Sequence, residues 1–234
     1  TTAANETFTI PTQNAGTFDA DIEWGDGSTS SISAYNDSAL THTYAAPGDH
    51  RILIRGSFPN IYFNNGGDKL KVKRVENLGD VGWTDFAYAF FGCSNMTSFV
   101  AGDCDTSSVS NMERMFQSCK LLTTLDVSSF DTSSVTNMIN MFYQSSSLTD
   151  IVGVEDFNIE AIQNANFLNK FLFNVTLPTA RYDALLINWD AQEPFDGMKP
   201  DFGNSQYTAG GAAAAARANL ISNDGWTITD GGTA

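Results

Sequence analysis

The chain has 234 residues, 42% of them apolar and 12% aromatic, enough to bury a sizeable core and too apolar for a disordered segment. Twelve Lys and Arg face 27 Asp and Glu, a formal charge of −15. That balance argues against nucleic acid and anionic membrane as partners, since both need compensating cations, and no apolar run is long enough to span a bilayer.

Residues 1–66 read as short strands. Thr7–Ile10, Phe18–Trp24, His42–Tyr44 and Arg51–Arg55 alternate or run apolar, and Gly25-Asp26-Gly27-Ser28 and Pro47-Gly48-Asp49 punctuate them as turns. An antiparallel β-sandwich is expected. Asp19, Asp21, Glu23 and Asp26 form a weak Ca²⁺ candidate, because alternate carboxylates on one strand converge with the turn; solvated charge on an outer face is the plainer reading. His42, inside a strand motif, is expected to hydrogen-bond structurally.

Lys69, Lys71, Lys73 and Arg74 then concentrate a third of the basic residues, read as a solvated strand joining two parts rather than a phosphate site. From here the chain repeats. Residues 90–115, 116–141 and 142–167 align with a period of 26: Phe90, Phe116 and Phe142; Met96, Leu122 and Leu148; Phe99, Leu125 and Ile151. Asp105-Thr106-Ser107-Ser108-Val109 matches Asp131-Thr132-Ser133-Ser134-Val135, and the third copy decays through an insertion after Ile151. Within a copy, Leu122, Leu125 and Val127 predict a strand. Val135, Met138 and Met141 or Phe142 predict one face of a short helix, which Asp131 to Ser134 would cap. Asn111 and Asn137 are expected to ladder along the turns. Cys93 and Cys119 occupy equivalent positions, about 5 Å apart on the strand spacing. They are read as buried thiols, with a disulfide as the alternative, while Cys104 replaces a core Phe.

In the last segment Ala180–Trp189 and Ala212–Ile221 predict helices, and Trp226–Thr229 a final strand. Stacked repeats expose a sticky end, and this segment is placed to cap it. The expected whole is α+β: an N-terminal antiparallel β-sandwich (1–66), a short leucine-rich-repeat solenoid of 26-residue repeats (67–175) and a C-terminal helical α/β cap (176–234).

Trp24-Gly25-Asp26-Gly27-Ser28 with His42-Thr43-Tyr44 and Pro47-Gly48 resembles the signature of PKD-type β-sandwich modules. The repeats, with F-x-x-C-x-x-L-T-x-L and F-D-T-S-x-V-x-N-M-x-x-M-F, resemble the BspA-type leucine-rich-repeat family over residues 70–152. That resemblance implies surface proteins of bacteria, including adhesins, or related modules on phage virions; it implies no catalytic residue.

No Ser, His or Cys motif of a known catalytic type is present, and no cofactor is expected. The expected function is therefore non-enzymatic extracellular recognition, with a cell-surface glycan or protein as partner. The candidate face lies between the core positions of the strands: Ser98, Val100, Thr123, Thr124, Asp126, Asp150 and Val152. The alternative is a structural or decoration subunit whose repeats pack against other virion or surface subunits.

Overall fold

A computed structural model describes all 234 residues, Thr1 to Ala234. Its N-terminal part holds antiparallel sheets: β1 (Glu6–Thr9) pairs with β4 (Thr41–Tyr44), and β2 (Asp19–Glu23) lies between β3 (Thr29–Ile32) and β5 (Leu53–Ser57). Alternation in β2 turns Ala20 and Ile22 inward and Asp19, Asp21 and Glu23 outward. The Gly25–Ser28 turn closes as the Trp24 N–H donates to the Ser28 carbonyl.

A parallel four-stranded sheet follows: β6 (Arg74–Val75), β7 (Ser98–Val100), β8 (Thr124–Asp126) and β9 (Asp150–Val152). Val75, Phe99, Leu125 and Ile151 are register partners, and the last three are buried. The 26-residue period read from the sequence is thus the distance from β7 to β8 and from β8 to β9.

The connections correct one expectation. The apolar stripe is real, since Met112, Met115, Phe116, Met138, Met141 and Phe142 are all fully buried. No helix carries it. Tyr88, Arg114, Asn140 and Lys170 take left-handed φ of 52–59°, and Gly92, Ser118, Gln144 and Asn174, four residues later, take left-handed φ of 59–80°. Every second N–H therefore turns toward the next coil: Tyr88 to Glu113, Phe90 to Met115, Arg114 to Ile139, Phe116 to Met141, Asn140 to Asn169 and Phe142 to Phe171. Intervening N–H groups close tight turns, such as Met115 to the Met112 carbonyl. A helix would satisfy its own backbone and offer neighbouring coils nothing. Each left-handed non-Gly residue costs about 1–2 kcal/mol, offset here by hydrogen bonds between coils.

The Asp-Thr-Ser-Ser segments do not cap helices either. Asp105 and Asp131 accept from the N–H groups of Ser107 and Ser133, each within its own turn. The buried threonines beside them bridge coils. Thr106 Oγ1 accepts from the Asp131 N–H at 2.8 Å and donates to the Asp131 carbonyl at 3.0 Å; Thr132 does the same with Asn158 at 2.7 and 3.0 Å. Phe90, Phe116 and Phe142 stack with centroids 5.8 and 5.7 Å apart.

Two helices close the chain, α1 (Thr179–Asp190) and α2 (Ala212–Ser222), burying Tyr182, Leu185, Leu186 and Trp189 against Ala213, Ala216 and Leu220 among others. The predicted final strand is absent: Thr229 makes a single bridge with Asp201. What occupies its place is more of the stack. Asp85, Asn111, Asn137, Asp201 and Asp230 each accept from the N–H two residues on, the same turn repeated from one end of the molecule to the other. Pairing also begins early, since Phe58, Phe63 and Asn65 donate to the carbonyls of Val81, Ala89 and Phe91. In chain order α1 and α2 stand where earlier coils carry strands. One continuous core runs from Ile10 to Trp226.

Candidate functional site

The predicted strand-face residues form two rows. Ser98, Thr124 and Asp150 are register partners, as are Val100, Asp126 and Val152. Thr123 and Thr124 are exposed and Val100 is 41% exposed, while Ser98, Asp126, Asp150 and Val152 are half-buried. The two carboxylates are not free. Asp126 accepts from the Ser128 hydroxyl at 2.6 Å and its N–H at 3.0 Å, and these bonds, the hydroxyl foremost, hold its carboxyl below the usual range. Asp150 takes a bidentate pair from Arg181 at 3.0 and 3.2 Å, and the same guanidinium reaches Glu155. Arg181 thereby fixes α1 to the end of the sheet.

The Ca²⁺ candidate set is not assembled. No group of three or more carboxylate, His or Cys side chains is placed to hold a metal ion. Asp21 accepts from Ser31, Glu23 pairs with Arg55, and Asp26 accepts from Ser28 and contacts His42, so the alternation that exposes the carboxylates also sends them to different partners. Ser28, His42 and Asp26 have the residue types of a hydrolytic triad but not its geometry. Nε2 of His42 meets both Asp26 Oδ2 at 2.8 Å and Ser28 Oγ at 3.2 Å, and the serine hydroxyl donates to Asp26 at 2.5 Å. One ring nitrogen facing both partners cannot relay a proton from serine to carboxylate. His42 stacks on Trp24 at 5.0 Å and meets Tyr44 edge-on at 4.6 Å, a knot that ties β2 and β4 together.

Cys93 and Cys119 are buried free thiols, both pushed up by burial, and Cys119 donates to the Phe90 carbonyl. The disulfide alternative is not realised. Cys104 is half-buried beside Ser129. The lysine-rich segment is a 3-10 turn at Lys69–Lys71 followed by β6, rather than one strand. Lys71 pairs with Glu6 and Asp68, and Lys73 with Asp49, so these cations tie the N-terminal sheets to the stack.

Sequence reasoning missed the turn side. Phe91, Gln117 and Tyr143 recur at the 26-residue period between core positions and are half-buried, as are Tyr88 and Phe173. The repeat alignment carries that signal, but apolar side chains in it all read as core. A cleft of about 390 Å³ lies beside the C-terminal ends of α1 and α2. Asp190, Glu193, Asp224 and side-chain amides line it with no apolar wall, unlike the usual small-molecule pocket. The Asp224 carboxyl is pushed up there by burial and then by Asp190 and Asp196.

Coils joined by a strand ladder, a turn ladder and stacked rings define a stacked-repeat protein, in which each unit buries its core only against its neighbours. The chain belongs to the family described as Mycoplasma protein of unknown function, DUF285, which matches residues 84–204. That span covers the turn segments from Asp85 to Asp201 and leaves the N-terminal sheets and α2 outside. No curated protein and no solved structure matches the chain.

Proposed function

We propose that the chain is a non-enzymatic recognition module of an extracellular surface, bacterial or virion, whose stack is a BspA-type leucine-rich-repeat solenoid. In this reading a PKD-like β-sandwich precedes it, the helical segment caps it, and the partner is a cell-surface protein or glycan. The observation that carries the reading is the pair of in-register rows across β7, β8 and β9, which place Thr124 and Val100 outward on a rigid, fully packed support. Two groups of side chains with catalytic potential are engaged within the fold, Ser28 and His42 with Asp26, and Asp150 and Glu155 with Arg181.

The test is binding of the chain to a panel of animal and bacterial cells, alongside Thr124→Lys and Val100→Asp. Binding that both variants abolish, with unchanged melting temperature, supports the reading. Absence of binding by the parent chain, or indifference to both substitutions, refutes it.

One observation favours assembly as a second reading. Leu70 and Leu121 are each 52% exposed, and the side-chain amide of Asn95 donates to the Leu70 carbonyl between them in chain order. Apolar side chains so exposed suit contact with another subunit. Light scattering across concentration separates the two: self-association abolished by Leu121→Lys supports assembly, and a strict monomer removes self-assembly.

A further inference from the structure

The turn side differs in chemistry from the strand face. Half-buried rings line it in pairs: Tyr62 and Tyr88 at 5.7 Å, Tyr88 and Phe91 at 6.2 Å, Tyr143 and Phe173 at 5.1 Å. Cations sit over them. The Arg114 guanidinium lies 5.3 Å from the Tyr88 centroid, and Lys170 Nζ lies 5.4 and 5.9 Å from those of Tyr143 and Phe173.

Charge is distributed unevenly as well. Arg51, Arg55, Lys71, Lys73, Arg74, Arg114, Arg181 and Arg217 all pair with carboxylates. Lys69, Lys120, Lys170 and Lys199 do not, and all four lie on or beside turn segments. Lys69 bonds Asn65, whose N–H donates to Phe91; Lys120 follows Cys119; and the Lys199 N–H donates to Ala165. Three carboxylates share these segments, and each is engaged. Asp85 accepts from Ala87 and Gln13, Glu113 from Tyr88 and Asn137, and Asp201 from Gly203. In a molecule of charge −15, Lys170 combines two features: it has no carboxylate partner and it lies over aromatic rings.

We propose that the turn side binds a carboxylate-bearing oligosaccharide, with Tyr143 and Phe173 as the stacking platform and Lys170 as the partner of the carboxylate. A pyranose ring presents a C–H face that packs on an aromatic ring, and its hydroxyls suit side-chain amides such as Asn140, Gln144 and Asn169, which flank the platform. Tyr88 adds a second stacking ring, where Arg114 is already paired with Glu113. Tyr88 and Asn140 stand at equivalent turn positions two coils apart, about 10 Å on the ladder spacing, within reach of a short oligosaccharide. The exposed aliphatic side chains Leu70, Val100, Leu121, Ile187 and Ile221 are not part of this platform. The proposal rests on the recognition reading above, names the partner's chemistry and places it on a different face.

Calorimetry on the full chain tests it, with a hexuronate tetrasaccharide, a sialylated trisaccharide and the carboxyl-reduced form of each. The expected result is binding of at least one acidic sugar, about tenfold or more tighter than its reduced form and weakened by salt. Lys170→Gln should bring the acidic ligand to the level of the reduced one, and Tyr143→Ala should abolish binding at an unchanged melting temperature. Equal affinity for reduced sugars overturns the proposal, as does indifference to Lys170→Gln, or no binding to any of the four. Thr124→Lys separates it from the parent reading. If that variant loses cell binding while the parent chain binds no sugar, the turn-side site falls and recognition by the strand face stands.

Discussion

Thr132 offers the sharpest test of what holds neighbouring coils together. Its side chain is 1% exposed, so a reading from burial alone makes it a packing residue that Val should replace without loss. The structure gives its hydroxyl two bonds, accepting from the Asn158 N–H at 2.7 Å and donating to the Asn158 carbonyl at 3.0 Å. Thr132→Val keeps the volume and removes both. Each lost bond costs about 1 kcal/mol, and a buried amide left without a partner adds about 1–3 kcal/mol. Asn158 is half-buried and water recovers part of this, so about 2–3 kcal/mol is expected. Thr132→Ser keeps the hydroxyl and loses one buried methyl, about 1 kcal/mol. Urea unfolding of the two variants measures the difference. The expected order is parent, then Ser, then Val; a Val variant as stable as the Ser variant means the hydroxyl bridge does not hold the coils and the account of the Asp-Thr-Ser-Ser segment is wrong.

Other consequences follow from the same geometry. Leu125→Asp puts an unpaired carboxylate into a thin core between Phe99 and Ile151 and should cost several kcal/mol, whereas Asp126→Ala, which gives up its bonds to Ser128, should cost about 1 kcal/mol or less; thermal melts in the reverse order would break the strand register. Gly153 sits at φ +91°, and a Cβ there would lie 2.4 Å from the Ser128 Cα, so Gly153→Ala must displace the neighbouring coil. Gly27, at φ +92° in open space, should pay only the backbone term of about 1–2 kcal/mol, and equal melting temperatures for the two Ala variants would count against the close approach. Glu6 is held down from its ordinary 4.5 to about 2, first by the Thr2 N–H and then by Lys71. Its folded value lies below its unfolded one, so its contribution is complete above about pH 4.5 and is lost as pH falls toward 2. Acid titration of stability should therefore be flatter in Glu6→Gln over that window; an identical acid limb would remove Glu6 from the account.

How far the sequence reveals this fold depends on which atoms carry the information. The period of 26 fixed Leu125 beside Ile151 because side-chain identity repeats wherever coils share a core. Helices α1 and α2 were readable for the same reason, through an apolar stripe bounded by Pro178 and Gly211. The coil backbone was not. Val135, Met138 and Met141 suit one face of a helix, and nothing in their spacing distinguishes a helix from turns that carry two left-handed residues four positions apart. Tyr88, Arg114 and Lys170 are not residues that announce left-handed φ, as Gly or Asn would. The N–H groups of Tyr88 and Arg114 bond to the next coil, a partner that no local window contains.

The same distinction explains the sites. Inward and outward positions on the strands were legible because alternation separates them, a rule that operates residue by residue. It could not show that Asp150 is consumed by Arg181, 31 positions later in the chain, or that Asp21, Glu23 and Asp26 disperse to separate partners. On the turn side no such alternation exists. Buried Phe142 and half-exposed Tyr143 are adjacent aromatics, and only the tight turn that sends their N–H groups in different directions separates core from surface there. An aromatic recognition surface built on turns is therefore hidden among core residues, and the period that exposes the core also conceals it. Tracing it needs ion pairing, which the structure supplies: in a chain of charge −15, Lys170 lies over Tyr143 and Phe173 and has no carboxylate partner.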